Sequence, residues 1–205
     1  KIERRVDAII ALIAQAQESD GYLYSPKTIG DPNNLPPGGT KRWESMDASH
    51  ELYCVGHLYE AAVAHFRATG KRNLLSIAIK NANLVAATFG AGKRGNIDGH
   101  PEVELGLSDL YGATGDGRYL RLAQWFLARR GDASRKDLVG EYAQDHKPLV
   151  KQDEAVGHAV EALVPGNLVA VRGEGFHLGE LQERAGLDEM HRRGLIEIGG
   201  RTRDD

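Results

Sequence analysis

The chain has 205 residues, 41% hydrophobic and 27% charged with both signs interspersed, which is ordinary for a globular protein and too apolar for a disordered one. A formal charge of −3 argues against a dedicated nucleic-acid or anionic-membrane surface, and the longest apolar runs, such as Val6 to Ala14 with Asp7 inside it, are far below bilayer-spanning length. The single cysteine, Cys54, excludes an internal disulfide and a multi-cysteine metal site within these residues, and leaves the compartment open.

Ile2, Val6, Ile9, Ile10 and Ile13 recur at helical spacing and predict a helix to about Gln17 that is already under way at the first residue, with no signal-peptide pattern there. Ser19 to Tyr24 follows. Pro26, Pro32, Pro36 and Pro37, interspersed with glycines, then predict an irregular excursion of roughly twenty residues over one end of the fold. With Asp47 or Ser49 as cap, a helix is expected to Thr69, apolar at Leu52, Val55, Leu58, Tyr59, Ala62 and Phe66, and ended by Gly70.

The next helix, Asn73 to Phe89, is expected to turn Leu74, Ile77, Ala78, Leu84 and Val85 inward and Lys80, Asn81 and Asn83 outward. The glycines from Gly90 to Gly99 lack the ending of a phosphate-binding loop and read as a chain reversal. Pro101 opens a helix at its favoured first position, with Glu102 and Glu104 in the first turn, where the helix dipole stabilises acids; it reaches about Ala113. A further helix runs from Arg118 to Arg130, and a polar loop leads to one starting near Asp153.

A repeat organises these elements. Ala68-Thr-Gly-Lys-Arg-Asn-Leu-Leu aligns with Ala113-Thr-Gly-Asp-Gly-Arg-Tyr-Leu at an offset of 45 residues, each copy ending one helix and starting another. A helical hairpin cannot bury its apolar face alone, so stacked copies must share a core, in an open solenoid or in a closed double ring. The fold class is therefore all-α. Beyond Leu163, Val164-Pro-Gly-Asn-Leu-Val-Ala-Val171 reads as turn and strand, one helix follows near Leu178 to Arg193, and Leu195 to Ile198 reads as another strand, a short α/β-like tail. Residues 164–205 are either a frameshifted or mis-joined end, the simpler account, or a small appended module.

His50, Cys54 and His57 fall at i, i+4 and i+7, within about 60 degrees on a helix, so they either offer three ligands to a metal or sit in the core with a buried thiol, the reading we prefer. Glu102, Glu104 and Glu154 are the carboxylates nearest the histidines in sequence and are weighed as general acids against the plain dipole role. Tyr22, Tyr24 and Trp43 either stack on a ligand ring or pin the proline-rich loop. His65 and His146 are expected to be exposed, and His177 and His191 lie in the tail.

Three segments, Ser49-His-Glu-Leu-Tyr-Cys-Val-Gly-His57, Gly99-His-Pro-Glu-Val-Glu-Leu-Gly-Leu107 and Asp153-Glu-Ala-Val-Gly-His-Ala-Val160, together resemble the amino-terminal part of glycoside hydrolase family 127, the β-L-arabinofuranosidase-like enzymes. The resemblance covers residues 1–163 and implies part of an (α/α)6 toroid of six helical hairpins, of which these residues supply three to four. It implies that His50, His100 and His158 contact an arabinose-containing glycan, a role suited to imidazole, which donates from one nitrogen and accepts at the other. It also implies a glutamate acid/base and a cysteine nucleophile held in a zinc site of cysteines and a glutamate, all expected downstream of these residues. Cys54 matches another cysteine of the family, and no catalytic residue or metal ligand is expected within this chain. The expected fragment is inactive alone and self-associates through exposed helix faces. The alternatives are a non-catalytic helical-repeat module that grips a glycan or peptide, and a lyase or epimerase on the same scaffold.

Overall fold

A computed structural model describes residues 2–30, 39–148, 151–152 and 156–157. Among them are seven α-helices: α1 (Ile2–Ala16), α2 (Ser25–Ile29), α3 (Met46–Ser49), α4 (Glu51–Thr69), α5 (Asn73–Thr88), α6 (Val103–Thr114) and α7 (Gly117–Arg129). A 3-10 turn at Glu141–Ala143 and a single bridge between Phe89 and Arg94 complete the described secondary structure, which contains no strand. The expected helix near Asp153 and the expected α/β-like tail, residues 164–205, lie outside the described residues.

The 45-residue repeat is realised in backbone geometry. Gly70 and Gly115 both take the left-handed conformation with φ 71°, and each donates its N–H at 2.8 Å to the carbonyl four residues back, Phe66 and Tyr111. Glycine adopts that conformation without steric cost, so each Ala-Thr-Gly stops its helix and reverses the chain into the next. The hairpins α4–α5 and α6–α7 then pack side by side: α4 lies along α6, while α5 contacts α1 and α7. The result is two layers, α4 and α6 in one and α1, α5 and α7 in the other. Leu52, Tyr59 and Val63 of α4, Leu75, Ala78 and Val85 of α5, Leu107 and Leu110 of α6, and Tyr119 and Phe126 of α7 fill the space between them.

The α4–α6 crossing is tight because two glycines meet there. A Cβ on Gly106 would stand 2.6 Å from the Gly56 carbonyl oxygen, and one on Gly56 would stand 2.7 Å from the Glu102 carbonyl carbon. Absence of both side chains brings the start of α6 directly against the middle of α4.

Two expectations about faces are corrected. Asn81, expected outward, is fully buried, because its amide accepts the Tyr59 hydroxyl at 2.5 Å and donates to the Gly21 carbonyl at 2.9 Å; a polar side chain is tolerated inside when its hydrogen bonds are made there. The apolar stripe of α1 is only partly used: Ile10 is buried and Val6 and Ile13 pack beside it, but Ile2 and Ile9 are exposed, as is Leu12.

Of the proline-rich stretch, Pro26 sits in the first turn of α2, where its missing N–H costs nothing. Residues 31–38 are outside the described set. Tyr22, Tyr24 and Trp43 are buried, with Trp43 edge-on to both Tyr22 (5.1 Å) and Phe89 (5.3 Å). Beneath them Glu51 and Lys27 form a buried ion pair at 2.6 Å. Burying either charge alone would cost several kcal/mol, and here each is saturated. Glu51 also accepts from the Tyr22 hydroxyl (2.5 Å), Ser49 Oγ (2.9 Å) and the Trp43 N–H (3.1 Å), while Lys27 donates to the carbonyls of Lys41 (2.8 Å) and Glu44 (3.2 Å). Burial, reinforced by the Glu51 charge, pushes the Tyr22 phenol far up, so it remains a donor.

Candidate functional site: a histidine pair at the start of two helices

The helix expected from Ser49 to Thr69 is interrupted. His50 takes a left-handed backbone conformation, φ 56° and ψ 23°, so the chain turns between α3 and α4 instead of running through. Trp43 and Ser45 also have positive φ, 63° and 48°, which places three strained non-glycine residues within one short segment. Such strain persists only where the surroundings hold it, and it concentrates at functional sites. Here the buried Glu51 cluster holds Trp43, and Arg94 (3.1 Å) and Asn96 (3.0 Å) donate to the Trp43 carbonyl.

Neither Asp47 nor Ser49 caps α4. The cap comes from Asp98, whose Oδ2 accepts the backbone N–H groups of Leu52 at 3.0 Å and Tyr53 at 3.2 Å. The other oxygen, Oδ1, accepts the N–H of His100 at 3.1 Å. One buried carboxylate therefore ties the start of α4, and the break at His50 before it, to the segment that carries His100. Gly99 makes the approach feasible, since a Cβ there would lie 2.9 Å from the Asp47 carbonyl oxygen. From the other side Arg130, itself buried, donates to the carbonyls of Asp98 (3.1 Å) and Ala143 (2.9 Å) and reaches Glu104 at 3.4 Å.

This framework brings two of the three expected histidines together. The rings of His50 and His100 are 4.6 Å apart between centroids and both are half-buried; Tyr53 lies 4.8 Å from His100, and His57 stands edge-on to Tyr53 at 4.5 Å. His50 Nδ1 is fixed on the Ala48 carbonyl at 2.9 Å. His158 and Glu154 lie outside the described residues, as do His177 and His191.

Several readings of the neighbouring residues change. The stripe of His50, Cys54 and His57 does not form, because His50 is off the helix; among the described residues the ligand-type atoms that converge are those of His57, Glu60 and Glu102. Cys54 is exposed rather than core, as is His57. Desolvation by its neighbours, with the Asp98 charge, raises the Cys54 thiol, which keeps it protonated and a poor nucleophile. Glu102 and Glu104 are buried; α6 begins at Val103, two residues after Pro101, so Glu102 takes the N-cap position and Glu104 stands in the first turn as expected. Burial raises the Glu104 carboxyl against the opposing pull of Arg130, which marks it as part of the internal framework. His65 and His146 are half-buried rather than exposed. Asp98, Arg130 and Glu60 were missed by sequence reasoning; Glu60 alone left a signal, three residues after His57 on the same helical face.

Layered helical hairpins whose loops and helix starts hold paired imidazoles define an all-α protein of the α/α toroid class, built here only in part. The chain belongs to glycoside hydrolase family 127: the model of the GH127 β-L-arabinofuranosidase catalytic domain matches residues 1–175. It is 36% identical to the non-reducing end β-L-arabinofuranosidase of Bifidobacterium longum subsp. longum, over 91% of this chain and 30% of that protein. Among solved structures it resembles a GH127 β-arabinofuranosidase (41% identity, TM-score 0.73, 91% of this chain and 30% of the other). It also resembles a GH127 β-L-arabinofuranosidase from Geobacillus stearothermophilus T6 (38% identity, TM-score 0.69, 90% of this chain and 31% of the other). The chain thus spans about 30% of the length of these relatives. A zinc site of several cysteines does not fit the residues present, because Cys54 is the only thiol in the sequence.

Proposed function

We propose that this chain forms the sugar-gripping wall of a glycoside hydrolase that removes β-L-arabinofuranose from arabinose-containing plant glycans, with His50, His100 and His158 contacting the sugar. The observation that carries the reading is the His50–His100 pair at 4.6 Å, half-buried and anchored through one carboxylate. Two imidazoles offer ring nitrogens as hydrogen-bonding groups to neighbouring hydroxyls. Retaining hydrolysis also needs an acid to protonate the leaving oxygen and a nucleophile for the anomeric carbon. In this reading those groups, a glutamate and a zinc-held cysteine, come from the remaining length of a family member, so the chain alone binds sugar weakly and does not cleave it.

Titrating the 205-residue chain with L-arabinose while following imidazole proton signals by NMR tests this. Saturable shifts of His50 and His100, with His65 unmoved, are expected; shifts absent at both, or equal at all three, refute it. An aryl β-L-arabinofuranoside is expected to stay intact in the presence of the chain alone.

A further inference from the structure

We propose that His57, Glu60 and Glu102 form a divalent metal site that bridges α4 and α6 at the edge of the histidine pair. The inference does not depend on the sugar reading. His57 Nδ1 lies 3.0 Å from Glu102 Oε1 and 3.6 Å from Glu60 Oε2, and all three ligand atoms fall within 4.8 Å of one another. Ligands on a tetrahedral zinc ion with bonds of about 2.1 Å stand about 3.4 Å apart, so the two measured separations bracket the required spacing.

The three donors are held by rigid elements. His57 and Glu60 share a face of α4 at i, i+3, and Glu102 immediately precedes α6, pressed against α4 where Gly56 and Gly106 remove the side chains that would keep the helices apart. One neutral imidazole and two carboxylates carry a charge of −2, which a divalent ion neutralises. The Glu102 side chain is 2% exposed, and a carboxylate at that depth gains most from a full positive charge beside it. His57 is 45% exposed, which leaves one side of the site open for entry and for a water ligand. A nitrogen and two oxygens with an open position suit zinc, and less tightly manganese.

The test is calorimetric titration of the chelator-treated 205-residue chain with Zn2+, paired with Co2+ absorption spectra. One saturable Zn2+ per chain is expected, weakened at least tenfold in His57→Ala and in Glu60→Gln, both at accessible positions where far-UV dichroism checks the fold. Cys54→Ser is expected to bind as the parent does, and the Co2+ spectrum to lack a thiolate charge-transfer band. Absence of saturable binding, binding that survives Glu60→Gln, or binding lost in Cys54→Ser overturns the proposal.

Discussion

The carboxylate of Asp98 caps a helix that begins nearly fifty residues earlier in the chain, accepting the Leu52 N–H at 3.0 Å. With its second oxygen on the His100 amide, this side chain replaces the local cap that the break at His50 removes. Asp98→Ala leaves three backbone donors without their acceptor, two of them at a helix start, and is expected to lower unfolding stability by about 2–3 kcal/mol. Asp98→Asn keeps one acceptor oxygen and is expected to cost about half as much. Urea unfolding checks both, with the midpoint moving and the slope unchanged.

The glycine crossing predicts a second asymmetry. In Gly106→Ala the new methyl meets the Gly56 carbonyl at 2.6 Å, a backbone atom that cannot rotate away. A loss of about 3 kcal/mol is expected, at the upper end for overpacking. Gly115→Ala meets nothing within 4 Å and pays only for its left-handed φ of 71°, about 1 kcal/mol. Thermal unfolding of the two variants side by side should rank them in that order.

Acid stability follows from Asp20. Its carboxyl is held below the ordinary 3.8 by the Tyr22 N–H and by Arg42. A folded value below the unfolded one means that the unfolded chain takes up the proton first, so the stabilisation is complete above pH 3.8 and is lost as pH falls through the lowered value. Asp20→Asn is therefore expected to flatten the stability profile below about pH 4 and to leave its slope near neutrality unchanged. Denaturation midpoints measured from pH 2 to pH 7 would show it.

The outer face of α1 predicts association. Ile2, Ile9 and Leu12 are 80%, 56% and 64% exposed on one short helix, an apolar surface without a cover among the described residues. Sedimentation is expected to show concentration-dependent self-association of this chain, reduced in the double variant Ile9→Glu, Leu12→Glu. A parent that stays monomeric at high concentration contradicts the prediction.

Local chemistry was legible where it acts over a few residues. The periodicities of α4 through α7, the Ala-Thr-Gly stops and the two-hairpin repeat all depend on neighbours along the chain, and each appears within a residue or two of its expected limits. The three collinear segments, Ser49 to His57, Gly99 to Leu107 and Asp153 to Val160, were enough to place the chain in its family. The interruption at His50 was not legible, because nothing in Asp-Ala-Ser-His forbids a helix.

The sequence by itself determined the helices, their hairpin pairing and the histidine-bearing segments, since hydrophobic period and glycine stereochemistry are short-range properties. The tertiary structure alone decided that Asp98 would cap α4, that Asn81 would find its partners inside, and that His57 would face Glu60 and Glu102 rather than Cys54. Those outcomes depend on how closely two helices approach and on what stands at the crossing, distances that emerge only when non-local surfaces are packed together.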